Sequence, residues 1–311
     1  MNRRSLLKSS AAFGFASTLP ALTSKLFASS NAGQSQAGKN HPMATANPLT
    51  PPAKGGIPVA FPISRGAQVI DFCGPWEVLQ DVQIPGREEA VFQLYTVAAT
   101  LKPIVATGGL TIVPDYTFET APAPKVIVIP AQDGATEPML DWIRQSTKTT
   151  DVTMSVCTGA FVLARTGLLA GKSATTFHQA FDNFAMQYPN IYLKRGVRFV
   201  EDGNLATSGG LTAGMDLAFR VVERYFGREV TEELAFQIEY QGKGWMDAAS
   251  NEAYANYENQ KKPTTGPLCP VCSMQGDLSI SSSYKGKTYY FCMQDHKLAF
   301  DESPAEFAKT A

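Results

Sequence analysis

The segment that decides the fold covers residues 151–169 and reads D-V-T-M-S-V-C-T-G-A-F-V-L-A-R-T-G-L-L. Residues 152–156 form a short apolar run typical of a buried strand, and the apolar spacing that follows predicts a helix. Ser155 and Gly159 stand two positions before and after Cys157. Small residues are needed there because the apex of a sharp strand-to-helix turn adopts strained backbone geometry. The segment therefore predicts a nucleophile elbow with Cys157 at its apex.

Two interpretations of Cys157 are open from this segment alone. A helix N-terminus offers unpaired N–H groups and a positive dipole end, which would lower the pKa of the thiol and make it a nucleophile. Alternatively, Cys157 is a structural cysteine buried at the end of a core strand. The local sequence favours neither.

Outward from the elbow, apolar strand-like runs alternate with helical patterns. The predicted strands are Ile57–Ile63, Phe92–Ala98, Lys125–Pro130 and Val152–Val156. The predicted helices are Trp76–Val82, Glu137–Gln145, Thr158–Leu169, Gln179–Gln187, Thr212–Phe226 and Val230–Tyr240. This alternation predicts an α/β domain over residues 57–245 with a doubly wound, mostly parallel sheet flanked by helices.

Both ends of the chain differ from this domain. Residues 1–28 begin M-N-R-R-S-L-L-K and continue into a weakly apolar run, which resembles a twin-arginine export signal and predicts a periplasmic or other extracytoplasmic location. Residues 29–56 are predicted to be a flexible tether, and residues 246–267 a polar linker to a small module at 268–311. The formal net charge of −1 gives no support to binding of nucleic acid, and no stable membrane span is expected if the signal is cleaved.

Four ordered motifs resemble the ThiJ/PfpI family of the class I glutamine amidotransferase-like superfamily, especially its isonitrile hydratase-like branch. They are V-I-D-F-C-G-P-W-E-V-L, K-V-I-V-I-P-A-Q-D-G, V-C-T-G-A-F-V-L-A-R-T-G-L-L-A-G-K-S-A-T-T-F-H, and D-G-N-L-A-T-S-G-G-L-T-A-G-M-D-L-A. The resemblance implies a flavodoxin-like fold, a homodimer, Cys157 as nucleophile and Asp71 as the acidic residue facing it. Thr158 is the third catalytic position that the resemblance implies; it matches the isonitrile hydratase-like branch, whereas the protease-like branch has histidine there, so a carboxylic acid rather than an imidazole is the expected partner. Asp71 has one alternative role, as a helix N-cap.

The sequence departs from the family pattern at two places. Ala131 and Gln132 replace a glycine pair in the turn that is expected to hold an oxyanion. The expected substrate contacts are therefore backbone N–H groups near Gln132, together with Gly159, which follows the nucleophile by two positions. The family's A-T-T-H-W appears as A-T-T-F-H, which moves the histidine to His178. His178 is a candidate substrate contact, but a shift of one residue along a strand favours a structural role. Cys73 is expected to be packed rather than reactive.

The last 44 residues carry C-P-V-C followed by C-M-Q-D-H, which supplies Cys269, Cys272, Cys292 and His296. This donor set suits zinc or another soft divalent metal, and a metal would also stabilise so small a module. A Cys269–Cys272 disulfide is the alternative. The segment resembles a YHS domain, although that family usually has Asp at 269 and Cys at 296, so the metal's identity does not carry over.

Together these features predict an exported, cysteine-dependent hydratase or hydrolase acting on a small carbon–nitrogen substrate, with no cofactor in the α/β domain. The alternative is a non-catalytic sensor of oxidative stress or metal, in which Cys157 is oxidised. A third class, the amidase-like transcription regulators, is disfavoured because no DNA-binding segment is recognised after residue 245.

Overall fold

The computed structural model describes residues 47–256, 266–271 and 275–308. The predicted export signal at 1–28, the beginning of the tether and Cys272 lie outside these ranges. Within them, no helix combines the length and the apolar character needed to cross a bilayer.

A seven-stranded sheet forms the centre of the molecule. Its strands are β1 (Ile57–Pro62), β2 (Phe92–Ala98), β5 (Tyr116–Thr117), β6 (Val126–Ile129), β7 (Val152–Ser155), β10 (Phe199–Asp202) and β11 (Leu205–Ser208). They lie in the order β10-β11-β7-β6-β1-β2-β5, and neighbouring strands pair in parallel except the edge pair β10 and β11, which is antiparallel. The predicted doubly wound, mostly parallel architecture is confirmed.

Helices cover both faces of this sheet. They are α1 (Val69–Gln80), α2 (Glu137–Ser146), α3 (Gly159–Arg165), α4 (Phe181–Gln187) and α5 (Ala213–Gln237). The predicted start of α1 at Trp76 was wrong, because Pro75 lies inside the helix and the first turn carries the buried Asp71, which obscures the apolar period. The break predicted between the helices Thr212–Phe226 and Val230–Tyr240 is confirmed, because Gly227 has a non-helical φ of 85° and divides α5 into two helical segments.

Smaller elements complete the described chain. Short two-stranded sheets pair β3 (Ile104–Val105) with β4 (Thr111–Ile112) and β8 (Ser173–Ala174) with β9 (Tyr192–Leu193). The C-terminal module contains an antiparallel hairpin of β12 (Asp277–Tyr284) and β13 (Lys287–Phe291), followed by α6 (Gln294–Glu302) and α7 (Pro304–Phe307). Tyr289, Phe291 and Phe300 form its small buried cluster together with Cys269.

The packed unit extends beyond both predicted boundaries of the α/β domain. The Leu49 N–H donates to the Arg224 carbonyl over 2.7 Å, so the second part of the predicted tether lies against α5. At the other side, Ala248 is buried and its carbonyl accepts the Arg198 N–H over 2.6 Å. The described part of the predicted linker therefore packs on the domain, because backbone groups of both segments find partners there.

The parallel strands β1, β6 and β7 end at one edge of the sheet, and the segments that follow them meet there. In open α/β sheets this carboxyl edge is where ligands bind. Cys157 follows β7, Ala131 and Gln132 follow β6, and Ser64 follows β1. The topology thus gathers the predicted site.

Candidate active site and metal cluster

Cys157 occupies the turn between β7 and α3 with a φ of 58°, in the left-handed region that non-glycine residues rarely adopt. Its N–H donates to the Gly209 carbonyl over 3.0 Å, and its carbonyl accepts the Thr176 hydroxyl over 2.9 Å. Gly159 is required because a Cβ there would lie 2.3 Å from the Ile129 carbonyl oxygen. The elbow is therefore held in its strained form by backbone contacts on both sides.

The Cys157 thiol is 7% exposed and has an unfavourable environment for a negative charge. Burial, and then the charge of Asp71, raise the pKa of Cys157 to about 12, although N–H groups of Thr158 and Leu211 and the Thr158 hydroxyl act to lower it. The lowered pKa expected from the sequence was wrong, because desolvation and a neighbouring carboxylate outweigh the N–H groups at the helix start. Cys157 is therefore a thiol at neutral pH unless Asp71 takes its proton.

Asp71 is fully buried in the first turn of α1. Its Oδ2 accepts the Ala131 N–H over 3.1 Å, while its Oδ1 accepts no hydrogen bond from the described residues. Burial raises the pKa of Asp71 to about 7, and the Ala131 N–H opposes this rise. The alternative role as an N-cap was wrong, since Gln68 occupies the N-cap position. Asp71 and Cys157 are instead electrostatically coupled, and within this pair the Asp71 carboxyl is the group that titrates near neutral pH.

The turn after β6 contributes Ala131, Gln132 and Asp133 to the lining of the pocket. The Gln132 amide is held from two sides: its Oε1 accepts the Ser64 hydroxyl over 2.7 Å, and its Nε2 donates to the Pro62 carbonyl over 3.1 Å. Among the described residues, no acceptor takes the Gln132 N–H. The neighbouring N–H groups of Ala131 and Asp133 are already hydrogen-bonded, so the Gln132 N–H is the donor in this turn that is left for a developing negative charge.

A cavity of about 380 Å³ lies over Cys157. The α/β domain contributes an aromatic wall of Phe161, Phe177 and Tyr188, and the C-terminal module contributes Val271, Met293 and Phe307. Polar groups of Gln68, Thr107, Gln132, Asp133, Arg165 and His296 line the remainder. The cavity thus suits a small molecule with an apolar substituent and one polar end.

His178 lies outside the lining of this cavity. It begins a 3-10 turn rather than continuing a strand, and its ring centroid is 4.8 Å from that of Tyr254. Phe177 takes the pocket position instead. The one-residue shift in the motif thus replaces an imidazole with an apolar ring at the site. Cys73 lies half-buried in α1 against the core, as expected.

Cys269, Cys292 and His296 form a second cluster, in which the ligand atoms all lie within 4.8 Å of one another. His296 Nδ1 is 3.0 Å from Cys292 Sγ and 3.5 Å from Cys269 Sγ. A tetrahedral zinc site separates a nitrogen and a sulfur ligand by about 3.6 Å, so a small expansion of the cluster admits the ion. Cys272, and with it the disulfide alternative, lies outside the described residues. The donor set fits zinc or another soft divalent metal.

Asp133 was not among the predicted site residues, yet it joins the two clusters. His296 Nε2 donates to Asp133 Oδ1 over 2.9 Å. Burial alone would lower the pKa of His296, but Asp133 and the two sulfurs raise it to about 12. Asp133 stands in the quoted A-Q-D-G turn, but its partner is 163 positions further along the chain at His296, a separation that local pattern cannot bridge.

The fold and site define a class: α/β proteins with a cysteine at a strained elbow and an acidic residue from the first helix beside it. Residues 58–224 match the family model described as the DJ-1/PfpI family. The chain belongs to the DJ-1/PfpI family.

Its relatives include an enzyme and regulators. The chain is 34% identical over 199 residues to an isonitrile hydratase of Pseudomonas putida, which covers 62% of this chain and 83% of that protein. It is 26% identical over 163 residues to the HTH-type transcriptional regulator GbdR of Pseudomonas aeruginosa, covering 51% of this chain but 44% of the regulator. The family alone therefore does not decide between catalysis and regulation.

Solved structures agree on the fold. A ThiJ/PfpI family protein from Pseudomonas syringae superposes with a TM-score of 0.55 at 22% identity, covering 89% of this chain and 95% of that one. Drosophila melanogaster DJ-1beta gives a TM-score of 0.51 at 20% identity, covering 60% of this chain and 98% of that one. At these identities the likeness concerns the fold alone.

Proposed function

We propose that this protein is a cysteine-dependent hydratase that adds water to a small isonitrile. The observation that carries the proposal is the buried carboxyl of Asp71, which has a raised pKa of about 7, an uncommitted Oδ1 and an electrostatic interaction with the Cys157 thiol. Such a carboxyl can accept the thiol proton and return it within one turnover. The similarity to the P. putida isonitrile hydratase supports this choice of substrate class.

The chemistry balances without any oxidant or reductant. Asp71 takes the Cys157 proton, the sulfur attacks the terminal isonitrile carbon, and Asp71 gives that carbon the proton, which leaves a thioformimidate. Water then adds across its carbon–nitrogen double bond, with the hydroxyl on carbon and the proton on nitrogen. Collapse expels the sulfur, which regains a proton, and releases an N-substituted formamide. In this proposal the Gln132 and Thr158 N–H groups orient the adduct.

The cavity supports an apolar substituent on the substrate. Phe161, Phe177 and Tyr188 line one side of a space of about 380 Å³. A ring-sized hydrocarbon group would remove apolar surface from water there, at roughly 25 cal/mol per Å². We therefore expect aromatic isonitriles to be better substrates than methyl isonitrile.

The alternative role as an oxidation sensor fits the site less well. Susceptibility of a cysteine to oxidation follows thiolate character and exposure. Burial and Asp71 keep Cys157 protonated at neutral pH, and the sulfur is almost fully covered. Burial and a neighbouring carboxyl are, by contrast, the features that proton transfer between Cys157 and Asp71 would use.

The test is an assay of the purified protein with benzyl isonitrile, simple amides and 2-oxoaldehydes, with products identified by mass spectrometry. We expect the N-substituted formamide, and a loss of at least about 1,000-fold in kcat/KM for Cys157→Ser. Cys73→Ser is the matched control and should stay within about twofold of the parent. Formamide production that survives Cys157→Ser would overturn the proposal.

A further inference from the structure

The cavity over Cys157 is built from two parts of the chain that lie far apart in sequence. The C-terminal module supplies Pro270, Val271, Met293, His296 and Phe307 to its lining. Without these side chains the cavity would lose one of its walls and open to solvent. Closure of the pocket therefore depends on the module being in place.

His296 belongs to the pocket wall and to the metal cluster at once. Its Nδ1 faces the sulfurs of Cys292 and Cys269 at 3.0 and 3.5 Å. Its Nε2 donates to Asp133 Oδ1 at 2.9 Å. One imidazole thus connects the module's candidate ligands to the turn that follows β6.

The α/β domain holds Asp133 firmly in this position. Its backbone N–H donates to the Arg65 carbonyl over 3.2 Å, and its side chain is 13% exposed. Gly66 makes room for the carboxylate, since a Cβ at Gly66 would lie 2.3 Å from Asp133 Oδ2. Asp133 directly follows Gln132, and both residues line the pocket. A change at the cluster therefore reaches the substrate-binding turn through one hydrogen bond.

We propose that the C-terminal module is a metal-assembled cap on the Cys157 pocket, and that Asp133 is the positioning residue that couples the metal cluster to the pocket. Carboxylates that accept a hydrogen bond from a metal-binding histidine fix the orientation of its ring and increase its basicity. Metal binding is also part of the folding free energy of a small module. Metal occupancy should therefore determine how long the cap stays docked.

A second docking contact provides a matched control. Arg65 forms an ion pair with Glu302 at the end of α6. Glu302 offers no ligand atom to the described cluster of Cys269, Cys292 and His296. Glu302→Gln should loosen docking while leaving the metal donors and their hydrogen-bond partner unchanged.

The first measurement is zinc affinity of the full-length protein, by competition with a chromophoric chelator. We expect Asp133→Asn to weaken zinc binding by about 10- to 100-fold, and Glu302→Gln to change it by no more than about twofold. Unchanged affinity in Asp133→Asn would overturn the coupling. So would an equal loss in both variants, since docking alone would then set the affinity.

The second measurement needs no variant. Iodoacetamide alkylation of Cys157 is followed by peptide mass spectrometry with zinc bound and after zinc is removed by a chelator. We expect removal to accelerate alkylation of Cys157 by at least about tenfold because the cap undocks, with Cys73 unchanged as the internal reference. Equal rates at Cys157 would overturn the cap. Neither measurement uses turnover, so the hydratase proposal can fail without affecting this one.

Discussion

The elbow and the C-terminal cluster both use buried or half-buried cysteines, but their electrostatic surroundings are opposite. Cys157 faces the carboxylate of Asp71, which discourages a thiolate, whereas Cys269 and Cys292 face the imidazole of His296. The first arrangement keeps a proton on the pair and suits proton transfer. The second favours sulfur ligands that hold a cation. The charge of the neighbouring side chain therefore distinguishes a reactive cysteine from a metal-binding cysteine more clearly than burial does.

The largest loss of stability is expected from a substitution in the backbone turn of the elbow. In Gly159→Ala the new Cβ would meet the Ile129 carbonyl oxygen at 2.3 Å, and backbone cannot move aside cheaply. We expect a loss of more than about 3 kcal/mol in the free energy of unfolding, or failure to fold. Chemical denaturation measures this change.

Gly108→Ala is the control for that substitution. Gly108 has a positive φ of 69°, which Gly159 does not have, and nothing lies within 4 Å of a Cβ at Gly108. Its cost should be the left-handed strain alone, about 1–2 kcal/mol. A loss in Gly159→Ala no larger than that in Gly108→Ala would show that the contact with the Ile129 carbonyl is relieved cheaply and does not explain Gly159.

Asp71→Asn should remove the buried carboxylate that opposes a thiolate at Cys157, and with it a pH dependence of stability. Asp71 has an ordinary pKa of 3.8 in the unfolded chain and about 7 in the fold, so the folded state binds more protons between these values. Its contribution to stability is present below about pH 4 and is lost as pH rises through 7. Asparagine removes this dependence, so above pH 7 the variant should be more stable by up to about 4 kcal/mol.

Denaturation from pH 4 to 8 measures the effect of Asp71→Asn. Asp141→Asn is the control, since Asp141 is largely exposed on α2. It should change stability by no more than about 0.5 kcal/mol at any pH. If the parent and Asp71→Asn show parallel pH dependence, Asp71 is not the buried titrating group.

The smallest effects are expected at the shifted motif. Phe177→Ala should raise KM for benzyl isonitrile by about 10-fold, because the substituent loses an aromatic wall. His178→Ala should leave kcat/KM within about twofold, because His178 packs against Tyr254 outside the cavity lining. Steady-state kinetics on both variants measures the contrast, and a larger loss in His178→Ala would reverse the assignment.

Local patterns predicted the fold well where one strand or turn carried its own signature. Phe92–Ala98 was predicted with the bounds that the structure shows, and the spacing around Cys157 located the elbow. The hairpin of β10 and β11 was missed, although Gly203 and Asn204 form its two-residue turn and Gly203 has a φ of 71°. That turn chemistry is a recognisable hairpin signature.

The site was less predictable where it depends on burial or on distant segments. The raised pKa of Cys157 follows from how completely the thiol and Asp71 are enclosed, which spacing does not report. Asp133 becomes functional only because His296 is folded against it. Motifs identified the participants at Cys157 and Asp71, but only three-dimensional packing determines their charge and their partners.

The pH dependence of Cys157 alkylation between pH 6 and 9 tests most directly whether Cys157 and Asp71 share and transfer one proton. In the parent protein the rate should rise to about pH 7 and then level off, because the Asp71 carboxylate formed above its pKa opposes further thiolate. In Asp71→Asn the rate should keep rising, about tenfold per pH unit, and exceed the parent by about tenfold at pH 8. Parallel profiles through pH 7, with no levelling in the parent, would contradict the account.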